Sequence, residues 1–310
     1  MKKYSLAIHG GAGTISKAQL TPKKELLYHE ALQKALNVGK YFLENGGTAL
    51  DAVEFSVRCL EDIDLFNAGK GSVFGNDGKH EMEASIMCGS TLNAGAVAGI
   101  RNVKNPIQLA RMIKKNTDYV YLHGSEAENF AKINHLPFED DEYFYTKERF
   151  EQLQAVKHSD KVILDHTDVD YKFGTVGAVA LDKNGNIAAA TSTGGLTNKR
   201  YGRLGDSSII GAGTYANNET CAISCTGYGE YFIRTVVAHD VSCLMQYKGL
   251  SLQQASEIVI KDKLVKMGGE GGLIGVDAIG NIALVFNTEG MYRGYTSSKN
   301  TELTTKIYGD

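Results

Sequence analysis

Apolar and polar positions change their period several times along the chain, and each change marks an element. Residues 4–8 are apolar and run into the glycine-rich stretch HGGAG at 9–13, which reads as a strand ending in a tight turn. Helical spacing follows: Leu26, Leu27, Ala31, Leu32, Ala35, Leu36 and Val38 recur as one face, which is expected to be buried. Thr21 is placed to cap this helix with Pro22 at its first position, and Asn45-Gly46-Gly47 ends it. Thr48 opens a second helix, with Asp51 three residues on as a variant of the capping box. Its expected buried side is Ala52, Val53, Phe55, Val57 and Leu60. Beyond a glycine-bearing loop at 65–74, residues 80–100 read as strands, and 106–115 and 125–134 as helices.

Residues 137–174 are mostly polar, and 157–174 reads as a linker. The pattern changes sharply at Thr175. TVGAVALD (175–182) suits a buried strand, Asn184-Gly185 is a hairpin turn signal, and NIAAATST (186–193) is the returning strand. A similar unit recurs as GVDAIGNIALVFNT (275–288), and two helices lie between the hairpins at about 229–247 and 251–267, the second capped by Ser251. Strands flanking helices in both halves predict one layered α+β domain with largely antiparallel sheets, not a doubly wound repeat.

Composition narrows the partners. With 33 basic and 36 acidic residues and a net charge of −3, the chain has no electrostatic footprint for nucleic acid or anionic lipid. It has no apolar run of the roughly 20 residues that a membrane helix needs. The apolar part of MKKYSLAIHGGAG is too short for a secretory signal. Five cysteines, with no CxxC pair, read as reduced, mostly buried thiols of a cytoplasmic protein. The GxSxG elbow, the GxGxxG fingerprint, the phosphate loop and HExxH are all missing.

Three threonines stand beside glycines at expected strand ends: Thr175 after Gly174, Thr193 in STGG (192–195), and Thr226 in CTGYGE (225–230). Each alone is explained by the preference of threonine for strands. GRLGDSS (202–208) adds Arg203 and Asp206, the charges needed to hold an α-carboxylate and an α-amine, though a local salt bridge uses the same pair. His9 reads as structural, hydrogen-bonded beside the glycine turn.

Taken together, IHGGAGT (8–14), LFNAGKGSVF (65–74), TLNAGAVAG (91–99), GTVGAVALDKNGNIAAATSTGG (174–195), GRLGDSSIIGAGTYANN (202–218), CTGYGEYFIR (225–234), GGEGGLI (268–274) and FNTEGMYR (286–293) resemble the plant-type L-asparaginase and isoaspartyl peptidase family, bacterial isoaspartyl dipeptidases in particular. The resemblance implies the αββα four-layer sandwich of N-terminal-nucleophile hydrolases. It implies self-cleavage between Gly174 and Thr175 into an α subunit (1–174) and a β subunit (175–310), assembled as a dimer of αβ pairs. It further implies hydrolysis of the side-chain amide of L-asparagine and β-aspartyl dipeptides.

Roles carry over by the same resemblance. Thr175 matches the nucleophile, Thr193 the threonine that hydrogen-bonds it, and Thr226 with the N–H of Gly227 the oxyanion hole. Arg203 matches the partner of the substrate α-carboxylate, and Asp206 with the Gly229 carbonyl the partners of its α-amine. Asn67 matches a supporting residue. Main-chain carbonyls of Leu60, Glu61, Ile63, Phe66, Ala68 and Lys70 match a structural sodium site, and no organic cofactor is expected. Cleavage would convert the Thr175 nitrogen from an amide into an amine of pKa about 7.7–8.0, able to accept the hydroxyl proton.

Two departures stand out: Ser208 where proline is common, and Tyr228 between two glycines where a small or polar residue is usual. Tyr228 is expected near the leaving group. Two competing readings remain at this level: a glycosylasparaginase, and an uncleaved protein that binds aspartyl ligands without turnover.

Overall fold

The computed structural model describes residues 3–13, 15, 20–157 and 174–309; most of the expected 157–174 linker lies outside them. Twelve strands among these residues form two sheets. The larger runs in the order β12-β11-β1-β5-β6-β2-β3-β4, built from β1 (Ser5–Gly13), β2 (Met82–Cys88), β3 (Ala94–Ile100), β4 (Tyr121–His123), β5 (Val176–Leu181), β6 (Ile187–Thr193), β11 (Gly290–Ser297) and β12 (Thr304–Tyr308). The smaller runs β10-β9-β8-β7, from β7 (Thr214–Ala216), β8 (Cys221–Gly227), β9 (Gly271–Asp277) and β10 (Ile282–Phe286). Every ladder is antiparallel except β3 with β4.

β5 and β6 are buried at every position, so both of their faces are covered. On one side Leu6, Ile8, Ala178 and Ala190 share a core with α1 (Pro22–Glu44), α2 (Ala49–Glu61) and α3 (Pro106–Asn116). On the other, Ala7, Val179 and Ala189 meet Ala222, Ile274 and Val276 of the smaller sheet. That sheet packs Ile223, Cys225 and Leu273 against α8 (Val237–Lys248), α9 (Leu252–Glu257) and the π-helical turn Ile258–Leu264. No described helix is long and apolar enough to cross a membrane.

Local chemistry explains the ends of these elements. The Thr21 hydroxyl accepts from Lys24 N, Thr48 and Asp51 cap α2 reciprocally, and Ser251 with Gln254 does the same for α9. The recurring hairpins share one device. Asp182 accepts the N–H groups of Asn184 and Asn186, and Asp277 those of Ile279 and Asn281. Gly185 and Gly280 supply the positive φ, at 85° and 88°.

Several expectations need correction. Leu26 and Leu27 are exposed, because the buried stripe of α1 centres on Tyr28, Leu32, Leu36 and Leu43, and both leucines lie roughly 100° or more away around the helix. Val38 is half-buried for the same reason, and Phe55 is half-buried, stacked on Phe42 with ring centroids 4.4 Å apart. HGGAG is not a turn: β1 continues to Gly13, and a bulge at Gly10 absorbs the glycines. The polar stretch after 137 contains α5 (Asp141–Phe144) and α6 (Lys147–Val156). The helix expected at 229–247 breaks at Val236, left-handed at φ 51°, into α7 (Gly229–Thr235) and α8.

Candidate active site

Strand register assembles the site. β5 pairs with β6 so that Val176 faces Ser192, which sets Thr175 opposite Thr193; β2 then places Glu83 opposite Thr193 on the far side. The Thr175 hydroxyl donates to Thr193 Oγ1 at 3.2 Å. Thr193 donates in turn to the carbonyl of Gly174 at 3.1 Å and accepts from Gly195 N at 3.0 Å. One hydroxyl therefore touches both the Thr175 oxygen and the carbonyl preceding it.

Neighbouring groups fix these atoms. A side chain on Gly174 would put its first carbon 2.6 Å from Asn67 Cβ, so only glycine fits there. Asn67 donates to Gly195 O at 2.7 Å and accepts from Val73 N at 3.0 Å, tying the 65–74 loop to the turn after Thr193. His9 spans the two sheets. Its Nδ1 donates to the Thr175 carbonyl and its Nε2 accepts from Ser224, both at 2.9 Å. Burial pushes the His9 pKa down to about 3, so the ring is neutral and this tautomer follows from a carbonyl partner that only accepts. His9 is thus structural as expected, within a strand.

Gly174, Thr175, Thr193, Gly195, Leu196, Arg203, Gly205, Asp206, Ser207 and Gly227 line one narrow cleft. Asp206 is buried, and its Oδ2 has no hydrogen-bond partner among the described residues. Burial, reinforced by the charge of Glu83, raises its pKa to about 7. Arg203 offsets part of that cost. Arg203 is mostly buried and grips Glu230 through Nε and Nη2. Thr226 is buried behind Gly227; its hydroxyl accepts from Ala12 N at 3.2 Å, which leaves its own proton to donate. Gly229 lies beside Asp206 and Arg203: a carbon built on it would sit 2.9 Å from Asp206 Oδ1 and 3.0 Å from Arg203 Nη2. Thr226, Asn67 and Gly229 therefore support the cleft from behind its lining.

Against this geometry stand the relatives. A family model described as asparaginase matches residues 2–305. The isoaspartyl peptidase of Escherichia coli (strain K12) is 51% identical over 312 residues, spanning 99% of this chain and 97% of its own length. The plant-type L-asparaginase of Pyrococcus horikoshii is 43% identical over 305 residues, 94% of this chain and 95% of its own. The isoaspartyl peptidase/L-asparaginase of Xenopus laevis is 38% identical over 307 residues, 99% and 96%.

The chain belongs to the asparaginase family.

In this member of the asparaginase family, three charged residues beside the cleft escaped sequence reading. Glu83 accepts from Gly205 N at 2.8 Å and Ser208 Oγ at 2.7 Å, and Ser208 also bonds Tyr121, which gives the departure from proline a use. Lys199 is buried and donates to Gly194 O and Glu81 O, pinning the turn after Thr193. Glu230 is the third. A signal existed for Glu83, an acid inside the apolar strand MEASIMC; Lys199 and Glu230 look like ordinary surface charges. Tyr228 is half-buried ahead of α7, its ring 5.3 Å from that of Tyr231.

The loop expected to hold sodium is crowded by its own carbonyls. A carbon on Gly69 would lie 2.4 Å from Glu61 O, and one on Gly71 2.1 Å from Phe66 O and 2.6 Å from Asp64 O. Neutral main-chain oxygens are the donor type that a hard cation takes.

Proposed function

We propose that this chain is an N-terminal-nucleophile hydrolase that cleaves itself before Thr175 and then hydrolyses the side-chain amide of L-asparagine and β-aspartyl dipeptides. The observation that carries this reading is the double role of the Thr193 hydroxyl, bonded to Thr175 Oγ1 on one side and to the Gly174 carbonyl on the other, inside a cleft that also holds Arg203 and Asp206. The names of the relatives supply the substrate class.

The chemistry runs in two stages. First, Thr175 Oγ attacks the Gly174 carbonyl carbon, with Thr193 donating to the carbonyl oxygen as charge develops there. The Gly174–Thr175 C–N bond breaks, the nitrogen takes up the proton that Oγ gave up, and the resulting ester is hydrolysed by water. The products are an α subunit of 1–174 and a β subunit of 175–310 that begins with a free amine. Two such pairs form the working unit, in the cytoplasm.

In turnover the new amine accepts the Thr175 hydroxyl proton, and Oγ attacks the amide carbon of the aspartyl side chain. Thr226 Oγ–H and Gly227 N–H receive the oxyanion. The leaving amine departs with the proton, and water cleaves the β-aspartyl ester to release L-aspartate. Arg203 holds the substrate α-carboxylate, and Asp206 with the Gly229 carbonyl holds its α-ammonium. Main-chain carbonyls of Leu60, Glu61, Ile63, Phe66, Ala68 and Lys70 would hold a sodium, whose charge would help to order the loop that carries Asn67. The three apolar cores support the αββα four-layer reading of the fold.

Release of L-aspartate from L-asparagine and from a β-aspartyl dipeptide tests this function. Purified protein that releases none from either contradicts it.

A further inference from the structure

A guanidinium carries five N–H donors in one plane, enough to grip a carboxylate along each of two edges. Arg203 uses one edge already. Its Nε and Nη2 donate to Glu230 Oε1 and Oε2 at 2.8 and 2.9 Å, a parallel two-bond grip. The other edge, Nη1 with the second hydrogen of Nη2, borders the cleft. A carbon built on Gly205 would lie 3.2 Å from Nη1, and one on Gly195 3.5 Å; both glycines line the cleft. Nη1 donates to no described residue.

The partners are held differently from a loose surface pair. Arg203 keeps only 17% of its side chain exposed and Glu230 keeps 40%, and Glu230 sits in the first turn of α7, directly after Gly229 beside the cleft. Each partner shifts the other in the expected sense, with the Arg203 pKa raised and that of Glu230 lowered against their burial.

We propose that Glu230 is a positioning residue for substrate capture: by gripping the Nε–Nη2 edge of Arg203 it turns the Nη1–Nη2 edge into the cleft, where that edge takes the α-carboxylate of the aspartyl head. This deepens the proposed function and rests on it. Glu230 also cancels one positive charge, so capture depends on the carboxylate arriving together with the ammonium that Asp206 holds.

The test compares steady-state kinetics of Glu230→Gln and Glu230→Asp with the wild type. In Glu230→Gln the amide nitrogen faces a guanidinium donor and the two-bond grip is lost. KM for L-asparagine is expected to rise by about tenfold or more with kcat within about threefold, the signature of lost ground-state binding. A β-aspartyl dipeptide shares the same head, so its KM should rise by a similar factor. Self-cleavage uses no substrate carboxylate and should proceed in both variants. If Glu230→Gln does not fold, Glu230→Asp carries the same comparison with a shorter reach. KM within about twofold of wild type, or a fall in kcat at constant KM, overturns the role of Glu230. An inactive or uncleaved wild type rejects the hydrolase reading itself, and this inference with it.

Discussion

The hydroxyl of Thr193 stands 3.2 Å from that of Thr175. That is long for a hydroxyl pair, whose usual spacing is about 2.7–2.8 Å. Thr193 also serves the Gly174 carbonyl and the Gly195 N–H, and one oxygen cannot approach all three optimally. Breaking the Gly174–Thr175 bond removes one of those demands.

Thr193→Ala therefore removes both the partner of the proposed nucleophile and the donor to the carbonyl of the bond proposed to break. Self-cleavage is expected to slow by roughly 10²–10³, the typical cost of losing one oxyanion donor. Thr193→Ser keeps the hydroxyl and should cleave far faster than the alanine variant. The fraction cleaved against time on a denaturing gel decides this, and wild-type kinetics in Thr193→Ala would refute it.

Asp206 carries a pH-dependent stability cost. Its folded pKa is raised to about 7 by burial and by Glu83, so the folded state holds a proton that the unfolded chain has already lost. The associated stability is present below the ordinary carboxylate range and disappears as pH rises to about 7. At pH 8 the buried charge is offset only in part, by Arg203 and a backbone N–H. Asp206→Asn should then be more stable than wild type by about 1–3 kcal/mol at pH 8, and kcat/KM for L-asparagine should fall roughly 10–100-fold. Thermal melts at pH 8 and pH 4.5 are the check. A variant that gains no more at pH 8 than at pH 4.5 contradicts the argument.

His9 predicts the opposite slope. Its pKa is lowered to about 3 in the folded state, whereas the unfolded chain binds a proton near the ordinary value of 6.5. Stability is therefore intact above that ordinary value and is lost as pH falls from there toward 3, at up to about 1.4 kcal/mol per pH unit. His9→Asn should be less stable at pH 7 but show a shallower loss between pH 7 and 4.5. Parallel stability curves would remove His9 as the cause.

What the sequence makes legible is what local rules govern. Caps at Thr21, Thr48 and Ser251, the Asn184-Gly185 hairpin and the unbroken burial of β5 and β6 follow from neighbouring residues. Motif resemblance reached further, naming the cleft-lining Gly174, Thr175, Thr193, Arg203, Asp206 and Gly227. Long-range partners stayed hidden. Glu83 meets the Arg203–Ser208 loop across 122 residues of chain, and Arg203 finds Glu230 on a later helix. Leu26 and Leu27 misled because an apolar residue can continue a helix without belonging to its buried stripe. Val236 adopts a left-handed backbone that nothing in its type announces.

The mass of the intact purified protein tests the central claim most directly. The account predicts two chains divided between Gly174 and Thr175, activity that grows in step with their appearance, and a Thr175→Ala protein that stays whole and inactive. A full-length chain that hydrolyses L-asparagine at its full rate, or a second chain beginning at any other residue, would contradict it.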